Sequence, residues 1–150
     1  VAEDLERTVA RLKEVTEPLA SAWDRPRPGR VYIGVSREDA PELGRVIFEE
    51  FGARFATATG TDVGEELEAV YHFVYDAAGL VVNMRVRTPK TDPVLRAVTP
   101  TVPAAEWIER EMHDLLGLDF EDHPDLRRLI LADDWPEGVY PLRREERDGA

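Results

Sequence analysis

Glu109, Glu111, His113, Asp114 and His123 bring carboxylates and imidazoles close together in the chain. These are the side chains from which metal centres and general acid–base pairs are built. Their spacing argues against a metal held on one helix. Glu111 and Asp114 are neighbours at i, i+3 and Glu109 lies beside His113 at i, i+4, so the three carboxylates do not share a face. Neither H-E-x-x-H nor a Glu-x-x-His pair on a second helix is present, and no metal ligand is assigned. Asp119 to Ile130 is rich in acids like a calcium loop but lacks the turn glycine and the closing glutamate. A carboxylate pair of the glycosidase type arises by chance in so acidic a chain, and its separation cannot be read from sequence. The only serines, Ser21 and Ser36, lie outside any G-x-S-x-G context, and no phosphate-cradling glycine loop occurs. With no cysteine there is no thiolate nucleophile, disulfide or Cys-held cluster. His72 reads as a face residue of a strand. No catalytic, cofactor-binding or metal residue is therefore assigned. A stand-alone enzyme using the acidic helix with His113 and His123 is kept as the alternative.

The 150 residues suit one domain, with 43% hydrophobic content and a net charge of −12. A chain of this size buries roughly 68–70% of its unfolded surface. The acidic balance argues against non-specific nucleic-acid binding, which needs cations to neutralise phosphates, and against direct docking on anionic lipid. No apolar run approaches the ~20 residues of a membrane span, no signal peptide is visible, and the absence of cysteine suits a reducing cytoplasm.

The elements that would position these residues follow from periodicity. Glu3 to about Glu17 predicts an amphipathic helix with Leu5, Val9, Leu12 and Val15 near one face. Trp23 to Arg30 reads as a semi-extended connector, because Pro26, Pro28 and Gly29 break it. Val31–Val35 predicts a strand. Asp39 reads as an N-cap with Glu42 as its capping-box partner, and Leu43, Ile47 and Phe51 predict a helix that Gly52 closes. Arg54–Asp62 predicts a strand with one polar face. Leu67 to Thr88 predicts a hairpin turning at Asp76–Gly79, with Ala69, Tyr71, Phe73 and Tyr75 facing the apolar set Leu80, Val82, Met84 and Val86. Leu95–Thr101 reads as one more strand. Pro103 then opens a helix whose stripe is Ile108, Met112, Leu115 and Leu116, ended by Gly117. The expected fold class is α+β, a mainly antiparallel sheet with helices packed on one face and an irregular C-terminal tail. The expected division is an N-terminal helix and linker over 1–30, a core domain over 31–130 and an extended docking tail over 131–150.

Beyond Gly117 the periodicity stops, yet Trp, His, Arg, Asp and Pro accumulate. His123–Arg128 and Asp134–Gly138 form two stiff charged turns around Leu129-Ile130-Leu131, and Tyr140-Pro141-Leu142-Arg143 follows. Aromatics and arginines in an irregular segment are the composition of an interface. Arg110, Asp114 and Arg127 are expected to be fixed by ion pairs or hydrogen bonds, with Glu111 or Asp114 reaching an arginine of the following loop. Large apolar groups without a periodic element to anchor them suggest that the tail serves assembly more than folding. Arg144 to Ala150 are expected to be mobile without a partner.

Glu109-Arg110-Glu111-x-x-Asp114-Leu115-Leu116, then His123, Arg127 and Leu129-Ile130, resembles the signature of the C subunit of respiratory complex I. That family is shared with the complex-I-related membrane-bound nickel–iron hydrogenases. Asp134-Trp135-Pro136-Glu137-Gly138-Val139-Tyr140-Pro141-Leu142-Arg143 resembles the segment that follows in both branches. One departure stands out: the family usually continues Pro-Leu-Arg-Lys-Asp-Phe, whereas Arg143 is followed here by Arg144 and Glu145. The resemblance implies a cofactor-free subunit of the peripheral arm of an NADH:quinone oxidoreductase, on the cytoplasmic side of the inner membrane. Its implied partners are a subunit resembling a hydrogenase large subunit, which helps form the quinone site, and neighbouring iron–sulfur subunits. The equivalent hydrogenase subunit is the alternative branch. The partner interface is expected at Glu109, Arg110, Glu111, Asp114, His123, Pro124, Asp125, Arg127, Arg128, Trp135, Tyr140, Pro141, Leu142 and Arg143.

Overall fold

The computed structural model describes residues 3–144. Helix α1 (Leu5–Thr16) starts where the Asp4 carboxylate accepts the Arg7 N–H at 2.8 Å, and it buries Val9 and Leu12 in the core. Strands β1 (Ala22–Arg27) and β2 (Arg30–Gly34) follow, then helix α2 (Ala40–Arg45), which runs on as a π-helical turn, Val46–Phe51. Next come β3 (Arg54–Asp62), β4 (Glu66–Tyr75), β5 (Leu80–Pro89), the short β6 (Val94–Arg96), helix α3 (Glu106–Leu116) and β7 (Asp119–Glu121). Five strands form one sheet in the order β1-β2-β5-β4-β3, antiparallel except at β2/β5, where α2 and the β3–β4 pair lie in the crossover. The fold is thus α+β as expected.

The hairpin forms because its two apolar sets are in register. Ala69, Tyr71, Phe73 and Tyr75 lie opposite Val86, Met84, Val82 and Leu80, and such cross-strand pairs are the unit of sheet stability. The opposite face is polar and pairs with itself: Glu68 takes Arg87 at 2.6 Å, and His72 bonds Asn83 at 2.6 Å and Thr59 at 2.9 Å. His72 is a face residue, as its alternation indicated.

Four local expectations change. Trp23–Arg27 is not a connector but most of edge strand β1, with Trp23 opposite Ile33. Its ladder tolerates Pro26 because it lies at the sheet edge, and Arg25 clamps Glu6 of α1 at 2.7 and 2.9 Å. Asp39 precedes α2 without capping it, since its own backbone is already αR and its side chain bonds no N–H there. Leu95–Thr101 is a strand only over Val94–Arg96. It pairs in parallel with β7, an element that the sequence hid inside its irregular stretch. From Val98 the chain turns instead, with Thr101 and Val102 donating to the Val98 carbonyl at 3.0 and 2.9 Å.

Helix α3 packs across β3 at a point where the strand has no side chain. A Cβ on Gly60 would stand 2.5 Å from a methyl of Leu116 and 3.1 Å from Met112, both buried. The close approach lets Met112 and Leu116 enter the core beneath the sheet. Gly60→Val should therefore overpack this contact and cost about 1–3 kcal/mol. A urea melt with an unchanged midpoint would show that the helix can back away freely.

Candidate docking site

Helix α3 sends its side chains in three directions. Glu109, Met112 and Leu116 point inward, Ile108, Glu111 and Leu115 line the groove beside β3, and Arg110 and Asp114 reach the C-terminal segment. Glu109 is fully buried. It accepts the Tyr71 O–H at 2.8 Å, the Val98 N–H at 2.5 Å, and from Thr99 both the N–H at 3.3 Å and the O–H at 2.5 Å. Burial raises its carboxyl pKa, and the donors from Thr99, Val98 and Tyr71 offset only part of that rise. Tyr71 is pushed well up by its own burial and then by the neighbouring Glu109.

The buried side chain of His123 stands 3.8 Å from Glu109. Its Nδ1 accepts the Asp125 N–H at 3.0 Å, so Nε2 carries the proton and donates to the Glu106 carbonyl at 3.0 Å. His113 bonds the Leu118 carbonyl through Nδ1 at 2.7 Å. The two histidines therefore serve separate backbone carbonyls, and only His123 lies beside Glu109.

The expected tie between helix and loop is present, but not to an arginine. One oxygen of Asp114 accepts the backbone N–H groups of Leu129, Ile130 and Leu131 at 2.9, 2.8 and 3.1 Å. Three successive N–H groups converging on one carboxylate make an anion-binding nest. Burial would raise the Asp114 pKa, yet these three donors and His113 outweigh it and hold the carboxyl below its ordinary range. Arg110 completes the clasp, donating to the carbonyls of Arg127 and Arg128 at 2.9 Å each. No Arg110–Asp114 ion pair forms among the described residues.

Further along, Arg128 donates to the carbonyls of Ala132 at 2.7 Å and Trp135 at 2.8 Å, and the Trp135 indole N–H reaches the Val139 carbonyl at 2.8 Å. Tyr140 and Arg143 lie over Gly117, where φ is +71° and a Cβ would stand 2.5 Å from the Tyr140 ring. Only glycine meets both demands. Arg143 Nε donates to the Leu116 carbonyl at 2.6 Å and the Leu142 N–H to that of Leu115 at 3.0 Å, so the segment caps the end of α3. The tail expected to lack an anchor is thus folded back onto the helix. Arg144 donates its N–H to Asp62 at 2.7 Å, while the rest of the span expected to be mobile, residues 145–150, lies outside the described residues.

The fourteen residues expected at a partner interface now separate by what they touch. Glu109, Asp114 and the His123 side chain are enclosed within this chain. Asp125 and Arg127 form a bidentate pair at 2.7 and 2.8 Å, and the Arg127 guanidinium holds the Asp125 carboxyl at about 2. Arg110, Arg128 and Arg143 grip carbonyls, Glu111 is half-buried in the lining of the groove beside β3, Trp135 and Tyr140 are half-buried, and Pro124, Pro141 and Leu142 are exposed. Sequence reasoning missed Tyr71, Val98 and Thr99 as partners of Glu109. It also missed Asp62, which Lys90 pairs at 2.7 Å and which accepts the Gly64 N–H at 3.0 Å. A strand tyrosine and a Val-Thr-Pro turn carried no signal of their own. The arrangement as a whole is a helix organising an irregular surface from beneath.

The domain is thus an α+β fold with a five-stranded sheet, whose last helix clasps an aperiodic tail. The chain belongs to the family described as the respiratory-chain NADH dehydrogenase 30 Kd subunit, whose model matches residues 33–148. It is 39% identical over 122 residues to the membrane-bound hydrogenase subunit beta of Pyrococcus furiosus, covering 79% of this chain and 70% of that one. It is 48% identical over 135 residues to formate hydrogenlyase subunit 5 of Escherichia coli, covering 87% of this chain but 23% of that protein. The chain spans about half, 49%, of the C subunit of the NADH-quinone oxidoreductase of Nocardioides sp., at 31% identity over 124 residues and 78% of this chain. Among solved structures it resembles a chain of the membrane-bound sulfane sulfur reductase, an archaeal respiratory membrane complex, with a TM-score of 0.80 and 27% identity. That likeness covers 94% of this chain and 84% of the other. No helix among the described residues is long and apolar enough to cross a membrane.

Asp114→Ala should leave the Leu129–Leu131 N–H groups without their acceptor and cost about 2–4 kcal/mol. An unchanged thermal melt, with no new protease cleavage near Leu129, would show that water replaces the carboxylate at no cost. At Asp62, burial would raise the carboxyl, but Lys90 and the N–H groups of Gly64 and Arg144 hold it at about 2. A depressed carboxyl stabilises the fold above its unfolded pKa of about 4, and that stability is lost as pH falls through the folded value. Urea midpoints should accordingly drop between about pH 4 and pH 2, and less steeply in Asp62→Asn. Equal slopes in the two proteins would separate Asp62 from acid stability.

Proposed function

We propose that this chain is a cofactor-free subunit of the peripheral arm of a respiratory oxidoreductase complex. Its place there is against a subunit resembling a hydrogenase large subunit, with iron–sulfur subunits nearby, on the cytoplasmic side of the membrane. The observation that carries the reading is the match to formate hydrogenlyase subunit 5, in which this domain is 23% of a longer polypeptide. A domain that one relative carries covalently within a larger redox protein is a domain whose neighbour lies in that same assembly, tethered at high effective concentration. The titratable groups around α3 support the reading. Glu109 and Asp114 are filled by the chain's own hydrogen bonds, which suits a structural task.

The complex is of the NADH:quinone oxidoreductase type, and its role in electron transfer is to hold the redox-active subunits in place. The hydrogenase-related branch is a second reading, favoured by identities of 39% and 48% to the two hydrogenase-type relatives against 31–33% to the quinone-type C subunits matched over 120 residues or more.

The test is recovery of the tagged chain from membranes of its native host, with the co-purifying subunits identified by mass spectrometry. A large subunit with iron–sulfur partners is expected, and NADH:quinone and hydrogen-evolving assays of the recovered complex assign the branch. Trp135→Ala should lower that yield while the variant still folds. Recovery of the chain alone, with enzyme activity of its own, would overturn the reading.

A further inference from the structure

The groove between α3 and β3 leaves large apolar side chains in solvent. One end is a cavity of about 460 Å³ lined by Phe55, Trp107, Ile108, Glu111, Leu129 and Ile130. It adjoins a second of about 210 Å³ that shares Ile108 and Glu111 and ends at Leu142. Trp107 is 67% exposed, Ile130 and Leu142 54% each, and Leu129 36%. Four of the seven exposed large hydrophobics of the described residues therefore border one groove. Apolar groups gathered in this way mark an interaction surface, and an exposed tryptophan is a common anchor of one.

Charge decides what fits. Glu111 sits where the two cavities meet and, among the described residues, is the only charged side chain lining either of them. Among the described residues it has no ion-pair or hydrogen-bond partner, whereas its neighbours Arg110 and Asp114 are fully engaged. An apolar segment laid along the groove would cover this carboxylate, and a covered carboxylate needs a cation.

We infer that the α3–β3 groove receives an apolar segment of the neighbouring subunit, one that brings a single Lys or Arg onto Glu111. The inference rests on the subunit reading above and adds to it the surface used and the chemistry of what binds. The groove also explains the clasp. Asp114 and Arg110 fix Leu129 and Ile130 along one rim, so the rim is already formed when the partner arrives, and little ordering cost remains.

The test places a photo-crosslinking phenylalanine analogue at Trp107 or at Phe48, an exposed residue away from the groove, in the full tagged chain within its native host. A crosslink from position 107 to an apolar peptide of a partner subunit that contains Lys or Arg is expected, with none from position 48. Glu111→Lys should lower partner recovery by roughly tenfold or more, and Glu111→Gln by less. If the complex assembles but position 107 crosslinks to nothing, to a second copy of this chain or to a peptide without a cation, the inference is overturned while the subunit reading stands. If no complex is recovered even with the unmodified chain, both fall. Circular dichroism of each variant separates loss of binding from loss of fold.

Discussion

The clasp of Asp114 on three backbone N–H groups ties the aperiodic segment at Leu129–Leu131 to helix α3. An aperiodic segment has no helix or sheet ladder to satisfy its amides, and those at 129–131 are satisfied by one carboxylate from a neighbouring helix. Arg110 satisfies carbonyls on the preceding residues in the same way. Two side chains one helical turn apart therefore do for the loop what a strand partner would do for a strand. Charge-assisted hydrogen bonds suit the task because they are shorter and stronger than neutral ones.

That clasp works only because α3 is itself held from two sides. Beneath it, Glu109 gathers Tyr71 of β4 and the Val98–Thr99 turn, which joins the helix to the sheet and to the β6 connection. Beside it, Gly60 permits contact with β3 close enough for Met112 and Leu116 to be buried. At its end, Gly117 gives the left-handed turn and the room that Tyr140 and Arg143 need. The signature E-R-E-x-x-D is in this light a set of structural roles: inward anchor, carbonyl clamp, groove carboxylate and amide nest.

The C-terminal surface is irregular in backbone yet fixed in place by Arg110 and Asp114. Its charged and aromatic side chains lie on loops, and the rigidity of those loops comes from one helix. Edge strand β1, with Pro26 and the Arg25–Glu6 clamp, is guarded against strand addition.

Sequence by itself determined the elements whose signal is local. The β4–β5 hairpin was legible from its alternation, β3 from its residue types, and α3 from its apolar stripe between Pro103 and Gly117, because a period of two or of 3.6 is written in consecutive residues. The motif and the family were legible as well. Tertiary structure alone decided the rest. Trp23–Arg27 became a strand because β2 offered it a ladder, despite Pro26, and β6 and β7 found each other across more than twenty residues of chain. It also decided that Asp114 takes amides where an arginine was expected. A carboxylate's partner is chosen by which donors the folded loop presents, and main-chain N–H groups leave no trace in composition. Glu109, expected at the partner interface, is instead fully buried within the chain. Its burial depends on a tyrosine thirty-eight positions away and a turn formed by other residues, and no spacing rule along one helix can report that.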